Sequence, residues 1–258
     1  MTYSVHTKVN WQIELSDNWQ NKFYPSLVRK LNKSESFFDE LFEIKFTPLN
    51  NINETESFFK LYDKEIVSRG NYIFKQNEQR DSLEQKLLNN KKYFMANIIK
   101  KDTGKYGGGI IFSIVEDRVS FALRVFNKEI RSSFRALTTL DFWAEKKMYD
   151  YATSSHLNFI SHGTDSYPNK GRIGLVLFKL KVGSKPKISK KEHTIIELSE
   201  TEAIEYDVPT FFWTLPDQNN FFQEAHLFYK EGEINESIFS ELIKVMEWTN
   251  IKLNLHIT

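Results

Sequence analysis

The chain has 258 residues and a formal net charge of +1, with 40% hydrophobic and 15% aromatic side chains. This composition is sufficient for a large buried core and excludes an intrinsically disordered chain. The nearly neutral charge provides no bulk attraction to nucleic acid or to an anionic membrane. Because the chain has no cysteine, disulfides, thiolate nucleophiles and cysteine-ligated metal sites are excluded.

The first twenty residues lack the basic stretch followed by an apolar stretch that is typical of a signal peptide. No segment approaches the run of about 20 apolar residues that a membrane-spanning helix needs. We therefore expect a cytoplasmic protein that does not associate with a membrane.

The first third of the chain alternates between strand and helix patterns. Strands are predicted over KVNWQIEL (8–15) and over Phe42–Phe46. Helices are predicted over SFFKLYDKEIVSRG (57–70) and RDSLEQKLLNN (80–90), because polar capping residues precede apolar residues at helical spacing.

From Tyr93 onward the apolar residues alternate with period two, which predicts a meander of three antiparallel strands. These strands are predicted over 93–101, 107–115 and 119–126. A long helix is predicted over 138–155, because its apolar residues fall on one helical face.

Two more strands are predicted after the long helix, over LNFISHG (157–163) and IGLVLFKLKVG (173–183). In the second of them, Lys179 and Lys181 alternate with apolar residues. This pattern favours a solvated edge strand whose lysines discourage pairing with other chains.

The last quarter of the chain mixes strand and helix patterns. Strands are predicted over 193–198, 210–215, 224–232 and 251–257, and an amphipathic helix is predicted over 234–249. The polar, basic segment GSKPKISKKEH is the nearest approach to a boundary. We therefore predict a core domain over 1–190 and an extension over 191–258 that packs on it.

The predicted order of a strand, two helices, a meander, a long helix and two strands resembles the acyl-CoA N-acyltransferase fold, the GNAT superfamily. The resemblance covers roughly Phe42 to Lys187, and its closest likeness is to the FemAB-like branch. The segments that carry it are TGKYGGGIIFSI, RALTTLDFWAEKKMYDYA, NFISHGTDSY and IGLVLFKLKVG. It implies an α/β fold with an α+β mixed sheet and a C-terminal α/β extension.

The resemblance also implies a coenzyme A site at the start of the long helix, where the superfamily binds the pyrophosphate on backbone N–H groups. The family motif there is Arg or Gln, two residues, Gly, one residue, then Gly or Ala. RSSFRA (131–136) has Phe134 in place of the glycine, and its ring obstructs the pyrophosphate path. The implied co-substrate is acetyl-CoA or another acyl-CoA, bound by Arg131, Ser133, Arg135 and Thr138. A solvated basic turn is the alternative interpretation.

The loop after the strand LNFISHG contains the predicted active site. In the resembled fold, the strands on either side of this loop separate to admit the acyl donor. We predict His162 as the base for the amine, with Asp165 beside it, and Tyr167 as the acid for the leaving thiolate. Lys170 and Arg172 are predicted to bind a carboxylate or phosphate of the acceptor. In the alternative interpretation the segment is only a turn, with Asp165 as its cap.

We therefore predict an N-acyltransferase that moves an acyl group from acyl-CoA to an amine of an amino sugar, an amino acid or a peptide. Direct transfer is expected because the chain has no cysteine and no evident Ser–His pair. The alternatives are a FemAB-like transferase that uses aminoacyl-tRNA and a non-catalytic binding module with the same fold. We expect no metal site, because the six histidines are scattered. No nucleic-acid partner is expected unless the donor is tRNA, and a homodimer is left open.

Overall fold

The computed structural model describes residues 1–258 except 17, 67–75, 90–91, 130–138, 171–172, 190–193 and 206–208; at 76–77 and 169–170 only the backbone is described. The chain divides into two compact units. The terminal unit comprises residues 1–13, 20–24 and 161–258, and the central unit comprises residues 14–19 and 25–160.

The described residues form thirteen strands and seven α-helices. The strands are β1 (Thr2–His6), β2 (Lys8–Glu14), β3 (Phe42–Leu49), β4 (Tyr93–Lys100), β5 (Tyr106–Val115), β6 (Arg118–Phe126), β7 (Phe159–Ser166), β8 (Asn169–Lys170), β9 (Lys185–Ile188), β10 (Ile195–Ser199), β11 (Thr210–Pro216), β12 (Phe222–Tyr229) and β13 (Lys252–Ile257). The helices are α1 (Pro25–Leu41), α2 (Glu56–Glu65), α3 (Gln76–Leu88), α4 (Leu140–Ser154), α5 (Ile173–Lys181), α6 (Glu200–Ile204) and α7 (Glu236–Trp248). Within the described parts of the chain, no helix is both long enough and apolar enough to cross a bilayer.

In the central unit, strands β3, β4, β5 and β6 pair antiparallel in that order. The predicted meander is therefore confirmed, and the strand predicted at Phe42–Phe46 extends to Leu49. Phe58 and Phe59 of α2 belong to the same buried apolar cluster as Ile111 and Val125 of the sheet. The amphipathic pattern of α2 thus places that helix on one face of the meander.

Helix α1 was not among the sequence predictions, although its pattern is visible in retrospect. Its buried residues are Leu27, Leu31, Ser34 and Phe38, whose spacing is that of one helical face. Pro25 at the first position suits a helix start, because the amide hydrogen it lacks has no helical partner there.

The terminal unit contains three groups of paired strands. Strand β1 pairs antiparallel with β10, and a second group has the order β13-β12-β11-β8, in which β12 and β13 are parallel. The third group has the order β7-β2-β9. Parallel and antiparallel pairs occur together, so the predicted mixed α/β class is confirmed. A buried core that includes Trp11, Phe211 and Trp213 lies within this unit.

The prediction of a strand over 173–183 is wrong, because this segment forms α5 and the turn that ends it. The buried residues Ile173, Val176, Leu177 and Leu180 are spaced as one face of a helix. A short apolar run fits strand and helix periods equally well, and here its packing into the core favours the helix.

The later elements follow the sequence predictions more closely. Strands β10, β11, β12 and β13 and helix α7 all lie where strands and a helix were predicted. The side chain of Asn235 accepts a hydrogen bond from the Ser237 N–H, as expected of an N-cap. Helix α6 was not predicted, and it begins with a capping box between Ser199 and Glu202.

The predicted division into a core over 1–190 and an extension over 191–258 stays a prediction. The two compact units described above are defined by contacts between residues, and they do not divide the chain at residue 190. Because β1 pairs with β10 and β2 pairs with β9, the first strands of the chain share their hydrogen bonds with segments near and beyond residue 185.

Candidate functional site

Several of the predicted site residues lie outside the described part of the chain. This holds for the four predicted coenzyme A ligands, Arg131, Ser133, Arg135 and Thr138, and for Arg172. Lys170 ends the short strand β8, and only its backbone is described. The described candidates are therefore His162, Asp165 and Tyr167.

A glycine with a left-handed backbone conformation lies between two of these residues in β7. Residues three apart in a regular strand lie on opposite faces of the sheet. Gly163 has a φ of 82°, a left-handed value that glycine adopts at little cost. With this irregularity between them, His162 and Asp165 both contact the segment formed by α5 and the residues that follow it.

Asp165, whose side chain is partly buried, forms an ion pair with the buried Lys179 of α5. The Lys179 Nζ donates to Asp165 Oδ2 at 2.8 Å, and the lysine side chain is only 4% exposed. The same ammonium lies 5.4 Å from the centre of the Trp11 ring, within the range of a cation–π interaction. The carboxylate and the indole together offset the cost of burying the lysine charge.

The prediction that Lys179 and Lys181 lie on a solvated edge strand is therefore wrong. In α5 they are two residues apart on a helix and point in different directions. Lys179 is buried against Asp165, and Lys181 forms an ion pair with Glu241 of α7 at 2.7 Å. The helical spacing of the neighbouring apolar residues is the signal that could have identified Lys179 as a buried lysine.

His162 forms a second buried polar pair. Its Nδ1 lies 2.5 Å from the hydroxyl oxygen of Ser184, and both side chains are buried. No Ser–His pair is evident from the sequence, but the fold brings together these two residues, which are 22 positions apart. No local motif marks such a pair, so the sequence could not reveal it.

Tyr167, the predicted acid, lies in the aromatic core of the terminal unit. Its side chain is buried, and its ring centre lies 6.4 Å from those of both Phe211 and Trp213. Trp213 in turn contacts Trp11, the residue that lies under the Lys179 ammonium. A chain of aromatic rings thus connects Tyr167 to the Asp165–Lys179 pair.

The start of α4 is acidic. Asp141 lies in the first turn of this helix and is buried. One turn later, the buried Glu145 has Oε2 3.6 Å from Nη1 of Arg124. A carboxylate in the first turn interacts favourably with the positive end of the helix dipole. The same end is where the GNAT resemblance places the pyrophosphate, which Asp141 would repel.

A separate polar cluster, here called the histidine cluster, consists of Glu224 and His226 of β12 and Asn254 and His256 of β13. His226 Nδ1 lies 3.1 Å from His256 Nε2, and Asn254 donates to Glu224 at 2.6 Å. Burial lowers the pKa of His226 to about 4, and the Glu224 carboxylate only partly opposes this effect. No group of three or more potential metal ligands occurs among the described residues.

Comparison with known proteins gives a likeness of fold. No protein-family model and no curated protein sequence match the chain. Among solved structures, FemX is 10% identical with a TM-score of 0.53, and the match covers 70% of this chain and 60% of FemX. The chain thus spans about 60% of the length of FemX.

Two further structures match with lower scores. L-PGS from Bacillus licheniformis is 11% identical with a TM-score of 0.41, covering 70% of this chain and 53% of that protein. The C-terminal domain of a putative lysylphosphatidylglycerol synthetase from Agrobacterium fabrum is 12% identical with a TM-score of 0.46, covering 78% and 63%. The likeness to FemX is one of fold alone, and it agrees with the predicted α/β fold class.

Proposed function

We propose that the chain is an acyltransferase that moves an acyl group from an activated donor to an amine. The proposed site comprises His162 and Asp165 of β7, Lys179 of α5, and Ser184. The observation that carries the proposal is the ion pair between the buried Lys179 and the partly buried Asp165, which lies on the same strand as the predicted base in a fold similar to that of FemX. Perturbed or paired charges in a buried setting are typical of active sites, although structural ion pairs also occur.

The chemistry needs a base and a stabilised oxyanion. The amine nitrogen attacks the acyl carbon, a C–N bond forms, and the carbonyl electron pair moves onto oxygen. His162 accepts the amine proton. The electron pair on oxygen then re-forms the carbonyl, and the bond to the leaving group breaks as His162 passes that proton to it. The ammonium of Lys179, held by Asp165, stabilises the negative oxygen in surroundings that contain little water.

The donor is acyl-CoA or aminoacyl-tRNA, and one observation favours each. The GNAT resemblance supports acyl-CoA. The carboxylate of Asp141 in the first turn of α4 counts against a pyrophosphate at that helix end. The sequence most resembles the FemAB-like branch of the superfamily, and this resemblance also implies aminoacyl-tRNA as the donor. As acceptor we propose the amine of an amino sugar, an amino acid or a peptide.

The test is transfer of a radiolabelled acyl group to a panel of amines, with labelled acetyl-CoA or charged tRNA as donor. Replacement of Lys179 by Met should reduce kcat by about 100-fold or more, as expected for loss of an oxyanion-stabilising group. Lys181→Met is the matched control, since Lys181 lies on the same helix in a different ion pair. Its activity should stay within about threefold of the parent.

Two results would count against the proposal. If neither donor transfers its label to any acceptor, the chain is not an acyltransferase of this kind. If transfer occurs but Lys179→Met and His162→Gln both leave it unchanged, the reaction takes place elsewhere in the chain.

A further inference from the structure

We propose that the contact between His226 and His256 is an acid-sensitive fastening that holds the end of β13, residues 255–257, on β12. Proton uptake by the two rings releases this end of the strand while the start of β13 stays paired. The inference concerns a conformational device within the terminal unit and does not rest on the proposed acyltransferase function.

Strand β13 has one neighbour to hold it. Among the described residues it lies at the edge of its sheet, where it pairs in parallel with β12. On the apolar face of β13, Leu253 packs against the buried core. Leu255 is 40% exposed and Ile257 is 70% exposed, so these two side chains bury less apolar surface. The end of β13 thus depends more than its start on the contacts of the polar face.

The start of β13 is fastened by a carboxylate of β12. Glu224 accepts hydrogen bonds from Lys252 at 2.9 Å and from Asn254 at 2.6 Å. Burial raises the pKa of Glu224, but the hydrogen bonds from Lys252 and Asn254 outweigh it and hold the pKa below its ordinary value. This fastening therefore stays largely ionised at pH 4.5.

The end of β13 is fastened by the two imidazoles, and the contacts of Asn254 determine where their protons lie. An ionised carboxylate only accepts hydrogen bonds, so the Asn254 atom that contacts Glu224 belongs to the NH₂ group. The same group lies 3.4 Å from Nε2 of His226, which therefore accepts. The proton of His226 is then on Nδ1 and is donated to Nε2 of His256 at 3.1 Å.

Neither ring can take up a proton and keep all of these contacts. A proton on Nε2 of His226 would face the NH₂ group of Asn254. A proton on Nε2 of His256 would face the N–H of His226. Two donors cannot form a hydrogen bond with each other, and two charged rings would also repel. Protonation is therefore relieved when the end of the strand separates and the rings are solvated.

The charged groups near His226 do not compensate for this loss. Burial lowers the pKa of His226 to about 4, Glu224 acts in the opposite direction, and His256 and Lys252 lower the pKa further. A solvated histidine titrates near 6.5. Between about pH 6.5 and pH 4 the released state therefore binds more protons, and its population rises as the pH falls.

The groups that face His256 from β1 and α6 leave the same sign. Burial lowers the pKa of His256, although the carboxylate of Glu200 in α6 favours the charged ring. Glu200 also forms an ion pair with the amino group of Met1 at 3.4 Å. Tyr3 of β1 has its ring centre 5.9 Å from that of His256, and its raised pKa keeps it neutral in acid.

The first experiment measures hydrogen exchange of backbone amides by NMR at pH 7 and pH 4.5, with each rate divided by the intrinsic rate at that pH. The protection of residues 255–257 should fall about tenfold or more beyond any fall in β4 and β5, because the released histidines take up protons. Residues 252–254 should lose less. Absence of protection at pH 7, no loss at pH 4.5, or an equal loss in all strands overturns the proposal.

The second experiment repeats the measurement on the double variant His226→Phe/His256→Phe. It removes both titrating rings and keeps an aromatic ring beside Phe228, whose ring centre lies 4.1 Å from that of His256. Its protection at residues 255–257 should be nearly the same at the two pH values. If the double variant does not fold, His256→Phe alone should show a smaller loss than the parent. A loss equal to that of the parent overturns the proposal.

Lys252→Met is the matched control on the same strand, because it removes the ion pair with Glu224 and leaves both histidines in place. It should lower the protection of residues 252–254 at both pH values, while the loss at residues 255–257 in acid persists. If that loss disappears in Lys252→Met, the acid sensitivity belongs to Glu224 and the proposal fails.

Discussion

Gly183 occupies a conformation and a space that other residues do not tolerate. Its φ is 77°, and an added Cβ would overlap the Lys22 carbonyl oxygen and lie 2.9 Å from the Ile13 side chain. A left-handed conformation alone costs a residue with a side chain about 1–2 kcal/mol. At this position the overlap with backbone adds to that cost, because the carbonyl cannot move aside freely.

We therefore expect Gly183→Ala to reduce the free energy of unfolding by about 3 kcal/mol or more, measured by urea denaturation. Gly232→Ala is the matched control, since Gly232 has a φ of 80° and nothing lies within 4 Å of its added Cβ. That variant should lose only about 1 kcal/mol. Equal losses in the two variants would show that space around Gly183 is not limiting.

At the scale of single residues, the sequence predicted two members of the candidate site, and their roles stay a prediction. His162 and Asp165 were predicted from polar residues at the end of a strand, and the structure places both against α5. Lys179 was misassigned because a run of alternating lysines and apolar residues imitates an edge strand. Ser184 could not be found, because its contact with His162 depends on a turn and a helix between them.

At the scale of elements, the histidine cluster joins β12 to the parallel strand β13. His226 contacts His256 and Asn254 across this pair. The cluster is arranged for neutral imidazoles, because protonation of both rings would place two positive charges in contact. The strand pair should therefore be sensitive to acid.

The free energy of unfolding should decrease as the pH is lowered, and His226 explains why. Burial keeps His226 neutral in the folded state down to its pKa of about 4, whereas an unfolded histidine titrates near 6.5. Between these values the unfolded chain binds more protons, so the free energy of unfolding falls as the pH decreases. The contribution of His226 is complete above about pH 6.5, and about 2 kcal/mol of it should be lost by pH 4.5.

Urea denaturation at pH 7 and pH 4.5 checks this expectation. His226→Phe, which preserves an aromatic ring beside Phe212, should reduce the loss of stability between the two pH values. His156→Asn is the control, because His156 is exposed in the turn after α4. An identical pH dependence in the parent and His226→Phe would exclude His226 as the titrating group.

The sequence predicted best the long elements whose apolar residues have one clear periodicity. The meander of β4, β5 and β6 and the helices α2, α4 and α7 have apolar residues that fit only one period. The segment of α5 is short and almost entirely apolar, so its period was ambiguous and its packing decided the outcome. Helix α1 was missed although its buried residues have the spacing of one helical face.

At the scale of the whole molecule, the proposed donor can be identified by its effect on the stability of the folded chain. A ligand that binds only the folded state raises stability, by about 2.7 kcal/mol at a concentration 100 times its Kd. We expect one of acetyl-CoA and aminoacyl-tRNA, and not both, to raise the Tm of the full chain. Free coenzyme A and uncharged tRNA are the controls, because they separate binding of the carrier from binding of the acyl group.

Stabilisation by coenzyme A or by tRNA also tests whether Asp141 prevents pyrophosphate binding at the start of α4. Stabilisation by free coenzyme A would show that Asp141 does not prevent pyrophosphate binding. Stabilisation by tRNA alone would support the FemAB-like alternative. If no donor or carrier changes the Tm, the non-catalytic binding module becomes the better interpretation.

The pairing of β1 with β10 bears on how the protein forms during synthesis. Tyr3 faces Leu198 across this pair, and Trp11 of β2 faces Pro186 of β9. On a ribosome, the first two strands leave the exit tunnel long before their partners exist, whereas the four-stranded meander is assembled from neighbouring segments. Strands β1 and β2 are thus among the last of these elements to acquire their native hydrogen bonds, and until then their apolar side chains are available to chaperones.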